Sequence, residues 1–512
     1  MISFFASLVS FAVVVNTAPT ANAPLLSWLS SSGGGASVAL GTTADGLRGL
    51  VATRSAQPGD VLLEVPLACC ASDACGDAPT IQPPSCTTDM HWQVQLASSV
   101  LTSRAARDWL SSWPEPPPMP LFCTDDELAL ACDDALSQRV RDDRAWAETQ
   151  SALVAAAADE EGDAELAAAV RATPTAFLEA LALVKSRALR LKAPRPIGMR
   201  YLLVPVLDIS NHNEKPTAIY SYSPSRGGVV RLHAARRLEE GSAVTIRYGD
   251  AGDEHYVEQY GFVPHSNALN AVELPLLRIL QSAEQPDDGD GNDNSGDGDS
   301  GGDESGKGSA DSSSAVGDAT EWSMERLSAL GVDGAAPYAL HASAPSKELL
   351  ATLRAVLCSQ AVDPLRGACG CGDWEGGKVG GFGEGDEELA AAALQCVARA
   401  ASVEARRIEA LGAKADLQAR EAGAGSEARA VLRELRQSKL RLLESLGASA
   451  TRMAGAFAQA HAAGGGGAGM SARMMLEAAV MEAEPPPFPL APRQLDSWAA
   501  REWDWDSASF GS

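Results

Sequence analysis

The stretch Val204–His212 reads V-P-V-L-D-I-S-N-H and constrains the chain more than any other part of it. Its apolar half predicts a buried strand, and polar groups at the end of such a strand either satisfy the backbone or build a site. From these residues alone, both interpretations are open. Two tyrosine-glycine pairs follow, at Tyr248 and Tyr260, and little else in the sequence is typical of catalysis.

Two common kinds of site have little support in this stretch. A hydrolase needs a nucleophile beside His212, but Ser210 lacks the G-x-S-x-G context of a nucleophile elbow. A metal site can use His212 together with Glu214, yet the sequence indicates no third ligand. We therefore predict neither a hydrolase nor a metal site here.

Length and charge limit the class of protein. The 512 residues suffice for two or more domains, each with its own core. The net charge of −26 argues against a nucleic-acid binder, because neutralising phosphates requires clustered Lys and Arg. The segment from Glu284 to Asp318 alone holds eleven acidic residues against one basic residue, Lys307.

This acidic segment has almost no apolar residues, with none between Gly289 and Ala310. Such a composition cannot offset the entropy lost on ordering. Its Asp-Gly repeats are similar to calcium loops, but the twelve-residue pattern that ends in a bidentate Glu is not met. We therefore predict a disordered, solvated linker.

The ten cysteines are too sparse for a disulfide framework, so we expect reduced thiols. Cys369-Gly-Cys371 lies in a glycine-rich stretch and raises the question of a metal. Structural zinc needs about four ligands, and no second pair accompanies this one. We predict no zinc site there.

The amino terminus is typical of a cleavable leader. The first 44 residues hold no charged side chain, and the apolar stretch Phe4–Val15 is followed by the small-residue pattern Ala21-Asn22-Ala23. Because a basic start is missing, an organelle (plastid) address, a secretory route and a mis-assigned start with a cytoplasmic protein all stay open. No later segment has the length and apolarity of a membrane span, so we expect no integral membrane association.

Periodicity divides the remainder into β-rich and helical parts. Gly46–Ala52 and Val61–Pro66 are short apolar runs on either side of a Pro-Gly turn, and they predict a hairpin. Tyr201–Ile209 predicts another strand. Helical periodicity dominates about 90–192 and again beyond Trp322. The predicted organisation is a leader at 1–23, a β-rich domain at 24–283 with that helical insertion, an acidic linker at 284–320, an α-helical domain at 321–480 and a flexible tail at 481–512.

Several motifs occur together in the order found in one family. D-I-S-N-H, then I-R-Y-G, then Q-Y-G-F-V resembles the SET-domain methyltransferases, in particular the branch of the Rubisco large-subunit lysine methyltransferase. G-L-R-G-L-V-A, V-L-L-E-V-P and Lys185-Ser186-Arg187-Ala188 upstream are also similar to that branch. Each string is weak by itself, whereas the ordered set over about 26–275 is specific. The C-terminal helices resemble the substrate-binding domain of that branch more loosely.

The resemblance implies an α+β protein with a β-rich SET fold, in which one strand is threaded as a pseudoknot. It also implies an inserted helical subdomain, an all-α C-terminal domain and S-adenosylmethionine (SAM) as cofactor. It assigns catalysis to Tyr248 and no role to a metal. By the same resemblance the cofactor-binding residues are Arg187, Asn211, His212, Tyr260, Phe262 and Leu50. The substrate-binding residues are Ser186, Asp208 and Tyr222.

The physical chemistry of the implied reaction suits these residue types. Transfer from a sulfonium needs an amine lone pair, which a lysine ammonium lacks at neutral pH. A narrow apolar channel and the neighbouring cation both lower the pKa of that amine. A tyrosine hydroxyl such as that of Tyr248 can then orient the neutral amine.

We therefore predict a SAM-dependent methyltransferase that modifies a lysine of a non-histone protein, acts as a monomer and binds no nucleic acid. Methylation of histidine is the nearest alternative, although Ser186-Arg187-Ala188 is closer to the lysine-directed pattern. A SET-derived interaction module without catalysis is the other. The spacer from Asp250 to Glu258 departs from the branch, which leaves the substrate's identity open.

Overall fold

The computed structural model describes residues 23–43, 46–73, 81–102, 109, 113, 115–193, 198–223, 228–284, 322–360, 386–421, 426–464 and 467–483. The predicted leader, acidic linker, Cys369-Gly-Cys371 stretch and Trp-containing tail lie outside these residues. The described part divides into two compact units. The first comprises the residues up to Leu269 together with Leu411–Ser438, and the second comprises Asn270–Ala410 and residues 439–483.

The first unit is built on three small sheets. Its strands are β1 (Gly35–Ala36), β2 (Val38–Thr42), β3 (Arg48–Ala52), β4 (Val61–Pro66), β5 (Ala71–Ser72), β6 (Leu189–Ala193), β7 (Gly198–Leu203), β8 (Asn211–His212), β9 (Ala218–Ser223), β10 (Val229–Ala234) and β11 (Ala243–Ile246). They pair in the orders β1-β4-β10-β9, β2-β3-β11-β8 and β5-β7-β6. In the second sheet β11 is antiparallel to β3 and parallel to β8, so the segment that carries β8 lies beside a strand far along the chain.

The predicted hairpin of β3 with β4 is wrong. β3 pairs with β2 and β11, while β4 pairs with β1 and β10 in a different sheet. The turn between them forms hydrogen bonds with a later part of the chain: Gly59 N–H donates to Ala234 O at 2.8 Å, and Ala56 N–H donates to Leu238 O at 3.0 Å. Four consecutive buried residues at 49–52 show that both faces of β3 are covered, which a two-stranded ribbon cannot provide.

The predicted strand Tyr201–Ile209 is also shorter than expected. β7 ends at Leu203, Leu207–Ile209 forms one turn of 3₁₀ helix, and the chain is extended again at β8. Pro205 has no N–H for a sheet ladder, and Val206 has a φ of 71°, which a β-branched residue adopts only when its surroundings fix it. This break turns the D-I-S-N-H motif away from the line of β7.

Helices fill the insertion between β5 and β6. They are Trp92–Thr102, Asp125–Leu128, Asp134–Glu161, Ala164–Val170 and Ala176–Arg187. The long helix begins at its cap Asp133, whose carboxylate accepts from Leu136 N–H at 2.9 Å, and ends at Gly162 in the left-handed region. The last helix of the group ends at Arg187, so Ser186 and Arg187 lie in its final turn.

The first unit ends with helix Asp253–Tyr260 and receives part of two much later helices, Glu387–Glu421 and Glu427–Ala462. Leu432 and Leu435 are fully buried there in one core cluster with Leu128, Leu130 and Val257. Arg429 pairs with Glu127 in the same region. Residues 411–438 therefore complete the core of the first unit, although they follow the predicted linker in sequence.

The second unit is mainly helical. Its helices are Leu276–Glu284, Met324–Ala329, Lys347–Gln360, Gly467–Ala483 and the larger parts of the two long helices. It also holds a two-stranded antiparallel sheet of β12 (Ala271–Pro275) and β13 (Pro337–His341), which helical periodicity did not predict. The predicted α+β class with a helical C-terminal region is confirmed. Among the residues described, no helix combines the length and apolarity needed to cross a membrane.

Candidate active site

The short strand β8 places Asn211 and His212 next to β11, opposite Thr245 and Ile246. The side-chain amide of Asn211 donates to the carbonyl of Arg48 on β3 at 3.1 Å. This contact depends on Gly49, because a Cβ there would lie 2.6 Å from Asn211 Nδ2. The end of the D-I-S-N-H motif is therefore attached to two strands of one sheet, to β11 by backbone pairing and to β3 by the Asn211 side chain.

His212 links this strand to Tyr248. The backbone N–H of Tyr248 donates to His212 Nδ1 at 3.2 Å. The other ring nitrogen, Nε2, lies 3.1 Å from Glu214 Oε1, and the His212 side chain is only 6% exposed. Both ring nitrogens are thus engaged by protein groups rather than by bulk water.

Tyr248 is anchored at its hydroxyl as well as at its backbone. Its hydroxyl donates to Ser210 O at 2.7 Å. Burial raises the pKa of Tyr248 to about 12, Arg187 opposes the shift and Asp208 adds to it. The hydroxyl is therefore protonated at neutral pH and acts as a hydrogen-bond donor.

Tyr248 belongs to a group of five rings, which we call the aromatic cluster. Its members are His212, Tyr248, Tyr256, Tyr260 and Phe262. The ring centroids of Tyr248 and Tyr260 are 4.6 Å apart, and those of His212 and Tyr256 are 4.8 Å apart. Burial raises the pKa of both Tyr256 and Tyr260. Such a cluster offers a dry surface with hydroxyl groups at its edges.

Gly261 makes part of this arrangement possible. It ends helix Asp253–Tyr260 in the left-handed region, with a φ of 71°, and so turns Tyr260 and Phe262 toward the same cluster. A Cβ on Gly261 would meet backbone atoms of Pro118 and Met119 at 3.0 to 3.1 Å. The Y-G-F pattern thus has a backbone requirement as well as a chemical one.

Asp208 is buried, at 8% exposure, and is held by two tryptophans. The indole N–H groups of Trp109 and Trp113 donate to its Oδ2 at 3.0 and 2.6 Å. Burial raises the pKa of Asp208, and Arg187 and the two indoles oppose that shift. Its other oxygen, Oδ1, has no hydrogen-bond partner among the described residues.

Arg187 is bonded to the backbone of the same residue. Its Nη1 donates to Asp208 O at 2.9 Å, and its guanidinium carbon lies 5.2 Å from the Trp113 ring centroid. Arg187 Nε and Ser210 Oγ are buried and have no hydrogen-bond partner among the described residues. With Asp208 Oδ1 they make three such atoms in one region. Because each unsatisfied buried polar group costs about 1–3 kcal/mol, a group of three is typical of a binding site.

The structure brings most of the residues expected from the sequence to one place, but not all. Ser186 is one position before Arg187, and its hydroxyl donates back to Leu183 O at 3.2 Å. The Leu50 side chain is fully buried in the main core. Tyr222 points to Gly228, where a Cβ would lie 2.8 Å from its hydroxyl. None of the described contacts joins Tyr222 to the aromatic cluster.

Tyr220, two residues earlier on β9, is the strand tyrosine with an electrostatic effect on a member of the aromatic cluster, Tyr260. It contributes to the raised pKa of Tyr260 through its charge, and burial raises its own pKa to about 12. The sequence does not separate Tyr220 from Tyr222, because residues two apart on a strand point to the same face.

Three aromatic residues of the site were missed by sequence reasoning. Tyr256 lies in the spacer that departs from the family, and its hydroxyl donates to Gly249 O at 2.7 Å. Trp109 and Trp113 precede a proline-rich loop and are far from Asp208 along the chain. The spacing of four residues between the two tryptophans was the one signal in the sequence that could have indicated a shared partner for their side chains. Within the described residues, no group of three or more His, Cys, Asp or Glu side chains is placed to hold a metal ion.

Comparisons with known proteins identify the fold. No protein-family model matches the chain. The curated protein SET domain-containing protein 8 of Schizosaccharomyces pombe is 32% identical over 108 residues, which span 21% of this chain and only 23% of that protein. The crystal structure of the SET domain of LSMT bound to MeLysine and AdoHcy superposes with a TM-score of 0.50 at 14% identity, covering 86% of this chain and 93% of that one.

A structure of Rubisco LSMT bound to AdoMet gives a TM-score of 0.47 at 14% identity, with 86% and 93% of the two chains covered. The superposition with the LSMT SET domain shows that this chain has a SET fold, and the fold predicted from the motifs is confirmed.

Proposed function

We propose that this chain is a SAM-dependent methyltransferase that modifies a lysine side chain of a non-histone protein, with Tyr248 as its catalytic residue. The observation that carries the proposal is the state of Tyr248. The side chain is half-buried, and its protonated hydroxyl donates a hydrogen bond to Ser210 O at the edge of the aromatic cluster. This combination suits the orientation of a neutral amine.

The cofactor's place is supported by the unsatisfied atoms around Asp208. Arg187, whose Nε has no partner in the described part of the chain, offers the charged donor that an amino-acid carboxylate requires. Asn211 and His212 on β8, Tyr260 and Phe262 would line the remainder, and the strand that carries Leu50 would close it. When bound, SAM supplies a methyl group on a sulfonium. The residues present therefore fit this cofactor.

The protein's own contribution is to prepare the amine. A lysine that enters the aromatic cluster loses water, and desolvation favours its neutral form. The rings of Tyr248 and Tyr260 exclude water from that region, and the anchored Tyr248 hydroxyl fixes the direction of approach. Asp208 Oδ1, which no described residue contacts by a hydrogen bond, can accept one from a ligand.

The comparison structure supports lysine over histidine as the acceptor. The LSMT SET domain was solved with MeLysine and AdoHcy bound. In this chain Ser186-Arg187-Ala188 carries the lysine-directed pattern at the end of its helix. We therefore assign a lysine acceptor and leave histidine as an outcome of the test.

The test uses the purified full chain, methyl-labelled SAM and a lysate as the source of substrates. Tyr248→Phe and Asn211→Ala are the test variants, and Glu64→Gln, on β4 in a different sheet from β8 and β11, is the control. We expect label on protein with the native chain and the control, and loss of label with both test variants. Absence of both transfer and SAM binding by the native chain would favour the non-catalytic interaction module.

A further inference from the structure

His212 is held in one protonation pattern by its two neighbours. The backbone N–H of Tyr248 can only donate, so His212 Nδ1 must present its lone pair. The ring proton then lies on Nε2, where Glu214 Oε1 accepts it at 3.1 Å. With the ring 6% exposed, water cannot replace either partner readily.

Glu214 is in turn part of a charged chain that returns to the Tyr248 segment. Its second oxygen, Oε2, lies 3.5 Å from Arg247 Nη2, and the same nitrogen lies 2.6 Å from Asp250 Oδ1. Arg247 Nε also donates to Gly249 O at 3.3 Å. All three charged side chains are at most 24% exposed.

This network includes the residues on both sides of Tyr248 in the sequence. Arg247 precedes Tyr248 directly, and Gly249 and Asp250 follow it. The Tyr256 hydroxyl donates to Gly249 O at 2.7 Å, and the Tyr256 ring lies beside His212 at an interplanar angle of 50°. The position of Tyr248 is therefore set by His212 at its N–H and by the Arg247 network at its neighbours.

The geometry requires a ring with one proton. A second proton, on Nδ1, would point at the Tyr248 N–H and remove that bond. Arg247 pairs with the other oxygen of Glu214 and so holds the carboxylate beside Nε2. The combination accepts the Nε2 proton and still leaves Nδ1 free to accept.

We infer that Glu214, supported by Arg247 and Asp250, is a positioning residue that acts through His212 to hold Tyr248 in place for methyl transfer. This inference rests on the proposed function and adds three residues to it. Asp250 belongs to the spacer in which this chain departs from its family, so the departure acquires a structural role. Glu214 itself need not touch substrate or cofactor.

The test compares Glu214→Leu, which removes the acceptor, with Glu214→Gln, whose amide oxygen can still accept from Nε2. The matched control is Glu64→Leu, because Glu64 is similarly exposed, at 22%, and is paired with Arg231 at 2.9 Å in another sheet. The direct readout is the pair of imidazole ¹⁵N shifts of His212 in histidine-labelled full chain, assigned by the spectrum of His212→Asn.

We expect the native chain and Glu214→Gln to show one tautomer, with the proton on Nε2. Glu214→Leu should shift toward exchanging tautomers and lose roughly 10- to 100-fold in kcat, with the KM for SAM within about twofold of native. Glu214→Gln should regain most of that rate, and Glu64→Leu should match native in both readouts.

An unchanged His212 tautomer in Glu214→Leu, or an equal loss of kcat in Glu64→Leu, would overturn the positioning role. If the native chain transfers no methyl group, the proposed function fails, and the imidazole spectra alone decide whether Glu214 fixes the ring. The two failures are therefore distinguishable.

Discussion

At the scale of single residues, Tyr248 is notable because three separate groups restrain it. His212 accepts from its backbone, Ser210 accepts from its hydroxyl and Tyr260 packs on its ring. Restraint of this kind lowers the entropy that a reaction must otherwise lose when its groups align. The site therefore depends on the tyrosine's position at least as much as on its chemistry.

Removing one oxygen tests that dependence. Tyr248→Phe keeps the ring and deletes the group bonded to Ser210, so we expect kcat to fall roughly 100-fold while SAM binding is retained. Transfer rates and calorimetric titration with SAM give the two values. Native kcat in this variant would exclude the catalytic role of the hydroxyl.

Asp208 should matter for folding stability as well as for the site. In Asp208→Asn, a neutral amide oxygen replaces the carboxylate oxygen that accepts from both indole N–H groups, so we expect a loss of about 1–3 kcal/mol in the free energy of unfolding. Urea denaturation measures this. Asp125→Asn is the control, because Asp125 pairs with Arg141 and Arg144 while 59% exposed and should change stability by less than about 1 kcal/mol. Equal losses in the two variants would argue against the indole pair.

At the scale of secondary structure, the close approach of β3 to Asn211 is the feature that joins the sheet to the site. Gly49→Ala places a Cβ 2.6 Å from Asn211 Nδ2, and the flexible amide has to move away from Arg48 O. We expect the protein to fold and its Kd for SAM to rise about tenfold, equivalent to about 1.4 kcal/mol. Gly35→Ala on β1 is the control, since its Cβ meets nothing within 4 Å. Calorimetry compares the two, and identical SAM affinities would contradict the proposed place of the cofactor.

The raised pKa of Tyr248 in the aromatic cluster should lower the folding stability of the protein at alkaline pH. The folded-state pKa of Tyr248 is raised from 10.0 to about 12, so its neutral form is favoured by folding. The stabilisation that the raised pKa of Tyr248 adds to the free energy of unfolding is complete below pH 10. It is lost between pH 10 and pH 12, by about 1.4 kcal/mol per pH unit. Urea midpoints at pH 9 and pH 11 should therefore differ less in Tyr248→Phe than in the native chain. Equal differences would show that Tyr248 does not titrate in this way.

The sequence identified several residues of the site, but it did not identify which strands pair or which distant side chains bond to each other. Tyr248, Asn211 and His212 were found because their motifs are local and the backbone places them directly. The partners of β3 and β4 were not, since a turn signal at 57–60 cannot tell whether its N–H groups bond across a hairpin or to Ala234 and Leu238. Trp109 and Trp113 were missed for a related reason, because their shared acceptor, Asp208, is distant along the chain.

At the scale of the whole molecule, the first unit depends on a segment that follows the predicted linker. Leu432 is fully buried in the cluster with Leu128 and Leu130, so Leu432→Ala should lower the free energy of unfolding by about 2–5 kcal/mol. Leu417→Ala, on the neighbouring helix and 59% exposed, should stay within about 0.5 kcal/mol. Denaturation of the full chain followed by tryptophan fluorescence tests both. Equal small effects would mean that residues 411–438 do not contribute to this core.

Such an arrangement explains why sequence reasoning described the β-rich SET domain as ending before the acidic segment. Composition marks where ordered chain stops and starts, but it does not record that a later helix returns to an earlier core. The helical character of residues 427–446 was evident from periodicity, whereas its contacts with Leu128 and Val257 needed the structure.

The measurement that tests the central claim most directly is mass spectrometry of the proteins that the native chain labels with methyl-SAM, beside Tyr248→Phe under the same conditions. The account predicts a methyl group on a lysine Nζ of a non-histone protein, present with the native chain and lost with the variant, although the variant still binds SAM. A methyl group on histidine, or label that survives in Tyr248→Phe, would contradict it.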